Sequence, residues 1–176
     1  MNQATKDSLA RSVQQFRLPT FQEIPNVGLY LEQTAKYISE YLACLGDFSL
    51  TGSMISNYVK KKLIDSPEKK LYSREQIAYL IFIAVAKSAM SIENIGLIIS
   101  LQKSTYSPQA AYDYFRLELE NVLHYIFGVK SGLDVIGADS SDEKLILRNL
   151  IITVAHKVYL EKICAALQKE ASPAEL

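Results

Sequence analysis

The sequence predicts a mainly α-helical protein with one minor β element. Apolar residues recur at three- to four-residue spacing along most of the 176-residue chain, which is the period of an α-helix. Polar capping residues precede several of these apolar stripes. A single short segment suited to a strand, Lys69-Lys70-Leu71-Tyr72, follows Pro67, a residue that cannot continue a helix. Together these features favour one helical domain, or two small ones that share an interface.

The N-terminal part predicts a lead-in segment followed by a helix. Residues 1 to about 15 are polar and fit either a loose or a helical tail. Pro19 and Pro25 bracket apolar residues, so we expect an ordered segment packed on the domain. The apolar stripe from Leu29 to about Leu45 predicts a helix, and Gly46 is placed to end it.

A short capped helix is predicted over about 51–62. Thr51 is a suitable N-cap, and Ile55, Tyr58 and Val59 share its inward side. Pro67 rules out a longer helix, so residues of about 65–73 are expected to form a small β-hairpin wing. The side of the helix opposite the apolar residues carries Ser53, Ser56, Asn57 and Lys60.

Four more helices are predicted from start signals further along the chain. The first helix starts at a capping box, Ser73-x-x-Gln76, and the second starts at a similar motif, Ser91-x-x-Asn94. Pro108 fits the first turn of a third helix, which we expect to reach about Phe127. The fourth is expected to run from a cap at Asp139-Ser140-Ser141-Asp142 to about Lys169.

Composition excludes several classes of protein. The two cysteines, Cys44 and Cys164, have no metal-site spacing and suit a reducing compartment. The N-terminus lacks the apolar core of a signal peptide, and the most apolar run, Ile77 to Ala86, is too short to span a bilayer. We therefore expect a soluble, cytoplasmic protein with no membrane association.

Catalytic and cofactor motifs are missing from the sequence. It has no glycine-rich phosphate loop and no nucleophile elbow. His124 and His156 fall on or near apolar faces of separate helices, where a packed histidine is the ordinary interpretation. We expect no enzyme activity, no metal and no cofactor.

The chain is neutral overall but locally basic. Lys plus Arg and Asp plus Glu number 19 each. Between Met54 and Arg74, however, the sequence has six basic residues and only two acidic ones, Asp65 and Glu68. A neutral protein with one basic patch is a candidate nucleic-acid binder. The basic residues are Lys60, Lys61, Lys62, Lys69, Lys70 and Arg74.

The same segment carries side chains suited to double-stranded DNA. Asn57 can contact adenine in the major groove, and Ser53 and Ser56 can donate to a base or a phosphate. Lysines and arginines are suited to the phosphates beside the groove, although a solvated helix end is their ordinary role. Tyr72 has a hydroxyl that could reach a phosphate, but packing beneath the wing is its ordinary role. The candidate DNA-binding residues are Ser53, Ser56, Asn57, Lys60, Lys61, Lys69, Lys70, Tyr72 and Arg74.

These motifs resemble a bacterial family of uncharacterised proteins that carry a domain of unknown function and are described as transcriptional regulators. Its members share a Leu-Pro…Pro…Leu-Tyr segment, here Leu18-Pro19, Pro25 and Leu29-Tyr30, and an Asn-Tyr-Val-Lys core, here residues 57–60. The segment is also similar to the winged helix-turn-helix of MerR-type regulators. Lys62 stands where MerR proteins have the helix-ending glycine, which would cost ~1 kcal/mol in a left-handed cap.

The resemblance implies a mainly α fold, in which a MerR-like winged helix-turn-helix is followed by a C-terminal helical region. The expected divisions are a tail (1–17), a winged helix-turn-helix domain (18–104) and a helical region (105–176). Helix 51–62 would enter the major groove, and the wing at about 65–73 would contact phosphates.

The C-terminal region leaves two interpretations open. Leu145, Ile146 and Ile152 lie off the main stripe of the last helix, which favours a homodimer seam. The helix could equally be buried within one subunit. A small-molecule effector has no supporting residue in the sequence.

Two functions are compatible with the sequence. One is a DNA-binding transcriptional regulator, and the other is a helical protein–protein adaptor that keeps a winged fold without DNA binding. The zero net charge, together with Ser56 at a position where MerR proteins have arginine, keeps the adaptor interpretation open.

Overall fold

A computed structural model describes residues 2–137 and 141–171 and confirms that the protein is mainly helical. The described residues form seven α-helices and one two-stranded antiparallel sheet. The helices are α1 (Gln3–Val13), α2 (Leu31–Leu42), α3 (Gly52–Lys60), α4 (Arg74–Ala86), α5 (Ile92–Thr105), α6 (Pro108–Ile126) and α7 (Asp142–Ala171). The strands are β1 (Leu29–Tyr30) and β2 (Leu71–Tyr72).

Helix starts follow the capping residues in the sequence. Thr51 accepts a hydrogen bond from the backbone of Met54, and Ser73 forms a complete capping box with Gln76. Ser91 and Ser107 cap α5 and α6 by accepting hydrogen bonds from the backbone amides of Asn94 and Ala110, respectively. These local hydrogen bonds satisfy amides that have no partner within the helix.

The last helix begins close to the predicted position. The Ser141 hydroxyl accepts a hydrogen bond from the Lys144 amide (3.4 Å), and the Ser141 carbonyl accepts one from the Leu145 amide (3.0 Å). Asp139 and Ser140, the other predicted cap residues, lie outside the described residues. The helix itself extends to Ala171, two residues beyond the expected end.

The N-terminal residues form a packed helix rather than a loose tail. Leu9 and Val13 on α1 are buried, and the prolines that follow lead the chain across α6. The Tyr112 hydroxyl donates a hydrogen bond of 3.0 Å to the carbonyl of Pro19. The lead-in segment is therefore part of the core, as its apolar residues predict.

The small sheet differs from the expected hairpin. β2 pairs with β1, so that Leu29 lies opposite Tyr72 and Tyr30 lies opposite Leu71. The hairpin expected within the loop is reduced to a single bridge between Glu68 and Leu71. The loop before β2 forms no further strand pairing, and β2 pairs instead with β1, which precedes α2. The sheet is therefore not the hairpin wing that the sequence predicts.

Helix α4 lies at the centre of the structure and packs against α2, α6 and α7. An apolar helix that is buried on most sides needs no polar face. One continuous cluster of buried side chains extends from α1 to α7. The buried residues of α4 are Ile77, Ala78, Leu80, Ile81, Phe82, Ile83, Ala84, Val85 and Ala86.

An ion pair between a buried carboxylate and a partly exposed arginine joins α6 to α7. The Glu118 carboxylate is 1% exposed, and its Oε1 lies 3.0 Å from Nε of Arg148. Asn121, one turn further along α6, holds the following loop through hydrogen bonds with the carbonyl (2.9 Å) and amide (3.0 Å) of Asp134. No helix in the described part of the chain combines the length and the apolar character that crossing a membrane requires.

Candidate nucleic-acid interface

Helix α3 buries one side and exposes the other, as its spacing predicts. Gly52, Ile55 and Tyr58 are buried, whereas Ser53, Asn57 and Lys60 are exposed and Ser56 is half-buried. Residues three and four positions apart share a helix face, so the four polar side chains lie along one side of α3. The predicted recognition surface is therefore available on this helix.

Gly52 allows α3 to begin close to the start of α2. A Cβ atom at this position would collide with the Glu32 side chain and would lie 3.2 Å from Cγ of Leu31. Close approach of two helices is a common reason for a glycine. This contact fixes the start of α3 against α2, and thereby the direction in which its polar side faces.

Helix α3 ends in a Schellman motif with a lysine at the left-handed position. The Leu63 amide donates to the Tyr58 carbonyl (3.0 Å), and the Lys62 amide donates to the Val59 carbonyl (2.9 Å). Lys62 has φ 58°, a conformation that glycine usually supplies in this motif. A side chain there costs about 1 kcal/mol, so the expected backbone cost of Lys62 is present in the structure.

Two more lysines occupy the tip of the following loop in the same conformation. Lys69 and Lys70 have φ values of 49° and 68°, and the Leu71 amide donates to the Glu68 carbonyl at 2.8 Å. Two central residues with positive φ and this hydrogen bond define a type I′ turn, which strongly favours Asn-Gly. Lysine is an unfavourable residue at both central positions.

Four lysines of α3 and the following loop are exposed and lack charged partners within the described residues. Lys60, Lys62, Lys69 and Lys70 form no ion pair among residues 2–137 and 141–171. Asp65 and Glu68 lie in the same loop, but they form no ion pair with the described lysines either. We name the polar side of α3 and these four lysines the α3–loop surface.

Three of the predicted DNA-binding residues are engaged elsewhere. Lys61 lies 3.3 Å from the Glu93 carboxylate at the start of α5. A hydrogen bond from the backbone amide of Glu93 itself, and then the Lys61 ammonium, hold the pKa of the Glu93 carboxyl below its usual value. Tyr72 is only 4% exposed and belongs to the core, so its ring packs beneath the loop and is not available to DNA.

Arg74 holds the N-terminal segment in place. Its guanidinium donates to the Ile24 carbonyl (2.8 Å), the Gln22 side chain (2.9 Å) and the Gln22 carbonyl (3.2 Å). The same group lies 5.7 Å from the centre of the Phe21 ring. With its donors used in this way, Arg74 is better described as a structural residue than as a phosphate contact.

Lys62 is not among the residues that the sequence predicts for the site, although the structure places it beside Lys61 at the exposed end of α3. The signal that could have identified it is its position directly after Lys60 and Lys61, in the same run of basic residues. No local signal pairs Lys61 with Glu93, because these residues are brought together only by the packing of α3 and α5. No group of three or more histidine, cysteine, aspartate or glutamate side chains in the described residues could hold a metal ion.

The protein is thus a small helical protein in which a capped helix is followed by a lysine-rich loop. The model of one family, the domain of unknown function DUF1836, matches residues 19–115. Because this match covers more than half of the chain, the protein belongs to that family. No curated protein matches the chain, and no solved structure matches it.

The matched region includes the whole α3–loop surface. It begins in the lead-in segment, contains α2, α3, α4 and α5, and ends within α6. The expected resemblance to an uncharacterised domain family is therefore confirmed over residues 19–115.

Proposed function

We propose that this protein is a DNA-binding transcriptional regulator. In this proposal α3 enters the major groove of double-stranded DNA and the loop that carries Lys62, Lys69 and Lys70 contacts the flanking phosphates. The observation that carries the proposal is the placement of lysine at three left-handed backbone positions. Backbone strain that persists in a native protein is concentrated at functional sites, and here each strained residue also carries an exposed positive charge.

The order of elements supports the proposal. Helix α2, the short α3, a loop, strand β2 and helices α4 and α5 follow one another as in a winged helix-turn-helix. Strand pairing between β1 and β2 brackets the two helices. A MerR-like arrangement is therefore our interpretation of residues 18–104, with the type I′ turn taking the place of a longer wing.

Asn57 and the two serines supply the groups that would read bases. Asn57 is exposed in the middle of the polar side of α3, and asparagine pairs with adenine through two hydrogen bonds. Asparagine and serine gain little from a helical position, so their presence there is better explained by contact with a partner. The lysines would position the helix without reading sequence.

Salt dependence tests the proposal. Four lysines that each neutralise one phosphate give a slope of log affinity against log salt of about −3.6 per subunit. We expect fluorescence anisotropy with promoter-upstream and random DNA to show such dependence. The double variant Lys60→Glu/Lys70→Glu should bind much more weakly, whereas a matched control with the same charge change, Lys6→Glu/Lys169→Glu, should bind as the wild type does.

The alternative, a protein–protein adaptor without DNA binding, predicts the opposite results in this experiment. The engagement of Lys61, Tyr72 and Arg74 in contacts within the chain is what favours it. If wild-type binding is absent or insensitive to salt, or if the double variant binds as tightly as the control, the regulator proposal is wrong and the adaptor remains.

We further propose that the regulator is a homodimer held by α7. The outward side of this helix carries exposed apolar residues, including Leu145 (60% exposed), Leu160 (59%) and Leu167 (42%). The opposite side is the core face. Its buried residues are Leu150, Ile151, Val154, Ala155 and Val158.

The outward stripe is symmetric about His156. Leu145 and Leu167 stand eleven residues before and after it, and Ile152 and Leu160 stand four residues before and after it. An antiparallel two-fold contact would therefore place Leu145 against Leu167 and Ile152 against Leu160 of a second copy. His156, which was expected to be packed, is exposed in the single chain and would lie at the axis.

Sedimentation velocity tests the dimer. Leu160→Glu introduces a charge in the stripe and should give a monomer, while Leu117→Glu, an exposed leucine on α6, should stay dimeric. A wild-type protein that is monomeric at every concentration, or a Leu160→Glu variant that still dimerises, would refute this assignment.

A further inference from the structure

A cavity lies between α4, α5, α6 and the beginning of α7. Its volume is about 70 Å³, counted over the positions that the centre of a water molecule can take, and the cavity opens to solvent at its mouth. Most of the wall is apolar, with Phe82 from α4, Ile98 and Ile99 from α5, and Phe115 from α6. Ligand sites in proteins are typically apolar cavities with a few placed polar groups, and this cavity has that composition.

Aromatic side chains shape the cavity for a flat occupant. Phe82 meets Phe115 edge-on with ring centres 5.4 Å apart, and Tyr112 lies 6.3 Å from Phe115. Tyr79, Tyr106 and Tyr114 complete the aromatic part of the wall. Aromatic faces and edges favour offset or edge contact with another ring, so a planar ligand gains more from this wall than an aliphatic one of the same size.

Two polar groups in the wall have unmet hydrogen-bonding capacity. The Tyr79 hydroxyl and Nε2 of Gln102 are both buried and have no hydrogen-bond partner among the described residues. Burial raises the pKa of Tyr79, so the hydroxyl stays protonated and can donate. Gln102 lies beside the hydroxyl and opposes that rise as a hydrogen-bond donor, but the contact falls short of full hydrogen-bond geometry. Both groups would be satisfied by an acceptor.

We propose that this cavity is a binding site for a small, planar, mostly apolar molecule that carries a carbonyl or a similar hydrogen-bond acceptor. The acceptor is directed at Gln102 Nε2 and at the Tyr79 hydroxyl, and the rest of the molecule lies against Phe82 and Phe115. Small shifts of the Tyr79 and Gln102 side chains bring their donors to the ligand.

The site is connected to the lysine-rich loop through α4. Gln76, one turn before Tyr79, donates from Nε2 to the Asp65 carbonyl at 2.8 Å. An occupant that displaces Tyr79 therefore acts on the helix that holds the base of the loop. Control of DNA affinity by such a ligand rests on the proposed function, whereas binding of the ligand does not.

The test uses prodan, a neutral naphthyl ketone whose emission shifts to the blue in apolar surroundings, and the DNA-free protein. We expect saturable binding of one molecule per chain. Ala111 lines the cavity and is half-buried, so Ala111→Phe places a ring in that space and should abolish binding. Leu117→Phe places the same ring on the outer side of α6 and should leave the affinity unchanged.

The polar assignment is tested by Gln102→Leu, which keeps a side chain of similar size but removes the donor. Loss of one hydrogen bond to the ketone should weaken prodan binding about fivefold to tenfold. The analogue without the ketone, 2-dimethylaminonaphthalene, should bind wild type and variant equally.

Three results would overturn the proposal. They are the absence of saturable prodan binding to the wild type, equal binding by a folded Ala111→Phe variant, and an unchanged prodan affinity in Gln102→Leu. Because no DNA is present, each of these results is independent of whether the protein binds DNA.

Discussion

At the end of α3, two lysine-to-glycine substitutions are expected to change the stability of the protein in opposite directions. Lys62 is the C′ residue of a Schellman motif and has φ 58°. Glycine adopts this conformation without steric cost, whereas lysine is disfavoured by about 1 kcal/mol. Lys62→Gly should therefore raise the free energy of unfolding by about 1 kcal/mol. For a chain of this length the melting temperature should rise by roughly 2–4 °C.

The matched control is Lys60→Gly, two residues earlier in the last turn of α3. Lys60 is helical and exposed, so glycine there should lower the free energy of unfolding by about 0.5–1 kcal/mol. Thermal unfolding followed by far-UV circular dichroism measures both variants. If both shift the melting temperature in the same direction, or if Lys62→Gly is less stable than wild type, the argument from backbone strain is wrong.

Three other predictions address contacts elsewhere in the fold. Arg148→Met leaves the buried Glu118 carboxylate unpaired and should lower the free energy of unfolding, measured in urea, by about 3 kcal/mol. The double variant Glu118→Leu/Arg148→Met should recover most of that loss. A double variant whose stability loss is the sum of the two single losses would contradict this. Arg74→Met removes hydrogen bonds to two backbone carbonyls and should lower the free energy of unfolding by about 1–2 kcal/mol. The salt slope of DNA binding should not change, and a shallower slope would show that Arg74 contacts a phosphate. Burial raises the pKa of Cys44, so iodoacetamide should modify the exposed Cys164 about tenfold faster, as peptide mass spectrometry would show; equal rates would refute it.

Helix positions were accessible from sequence because their signals are local. Ser73 with Gln76, Ser91, and Ser107 before Pro108 each form hydrogen bonds within one turn of their own helix. The β1–β2 pairing was not accessible in the same way. Leu29 and Tyr30 continue the apolar spacing of α2, and only their pairing with β2, which is distant in sequence, makes them a strand.

The candidate site shows the same division. The exposed side of α3 follows from the helical period, so Ser53, Asn57 and Lys60 were placed correctly on the outside. The partners of Lys61 and Arg74 come from α5 and from the lead-in segment, respectively. No spacing rule relates residues on separate elements, and for that reason their engagement appears only in three dimensions.

The tip of the loop permits the most direct test of the central claim, that the lysines there bind DNA phosphates. Lys69→Asn/Lys70→Gly removes two positive charges and at the same time supplies the residues that a type I′ turn favours. The proposal predicts a variant at least as stable as wild type whose DNA affinity falls and whose salt slope becomes shallower by about 1.8. An equally stable variant with the wild-type affinity and slope would contradict it.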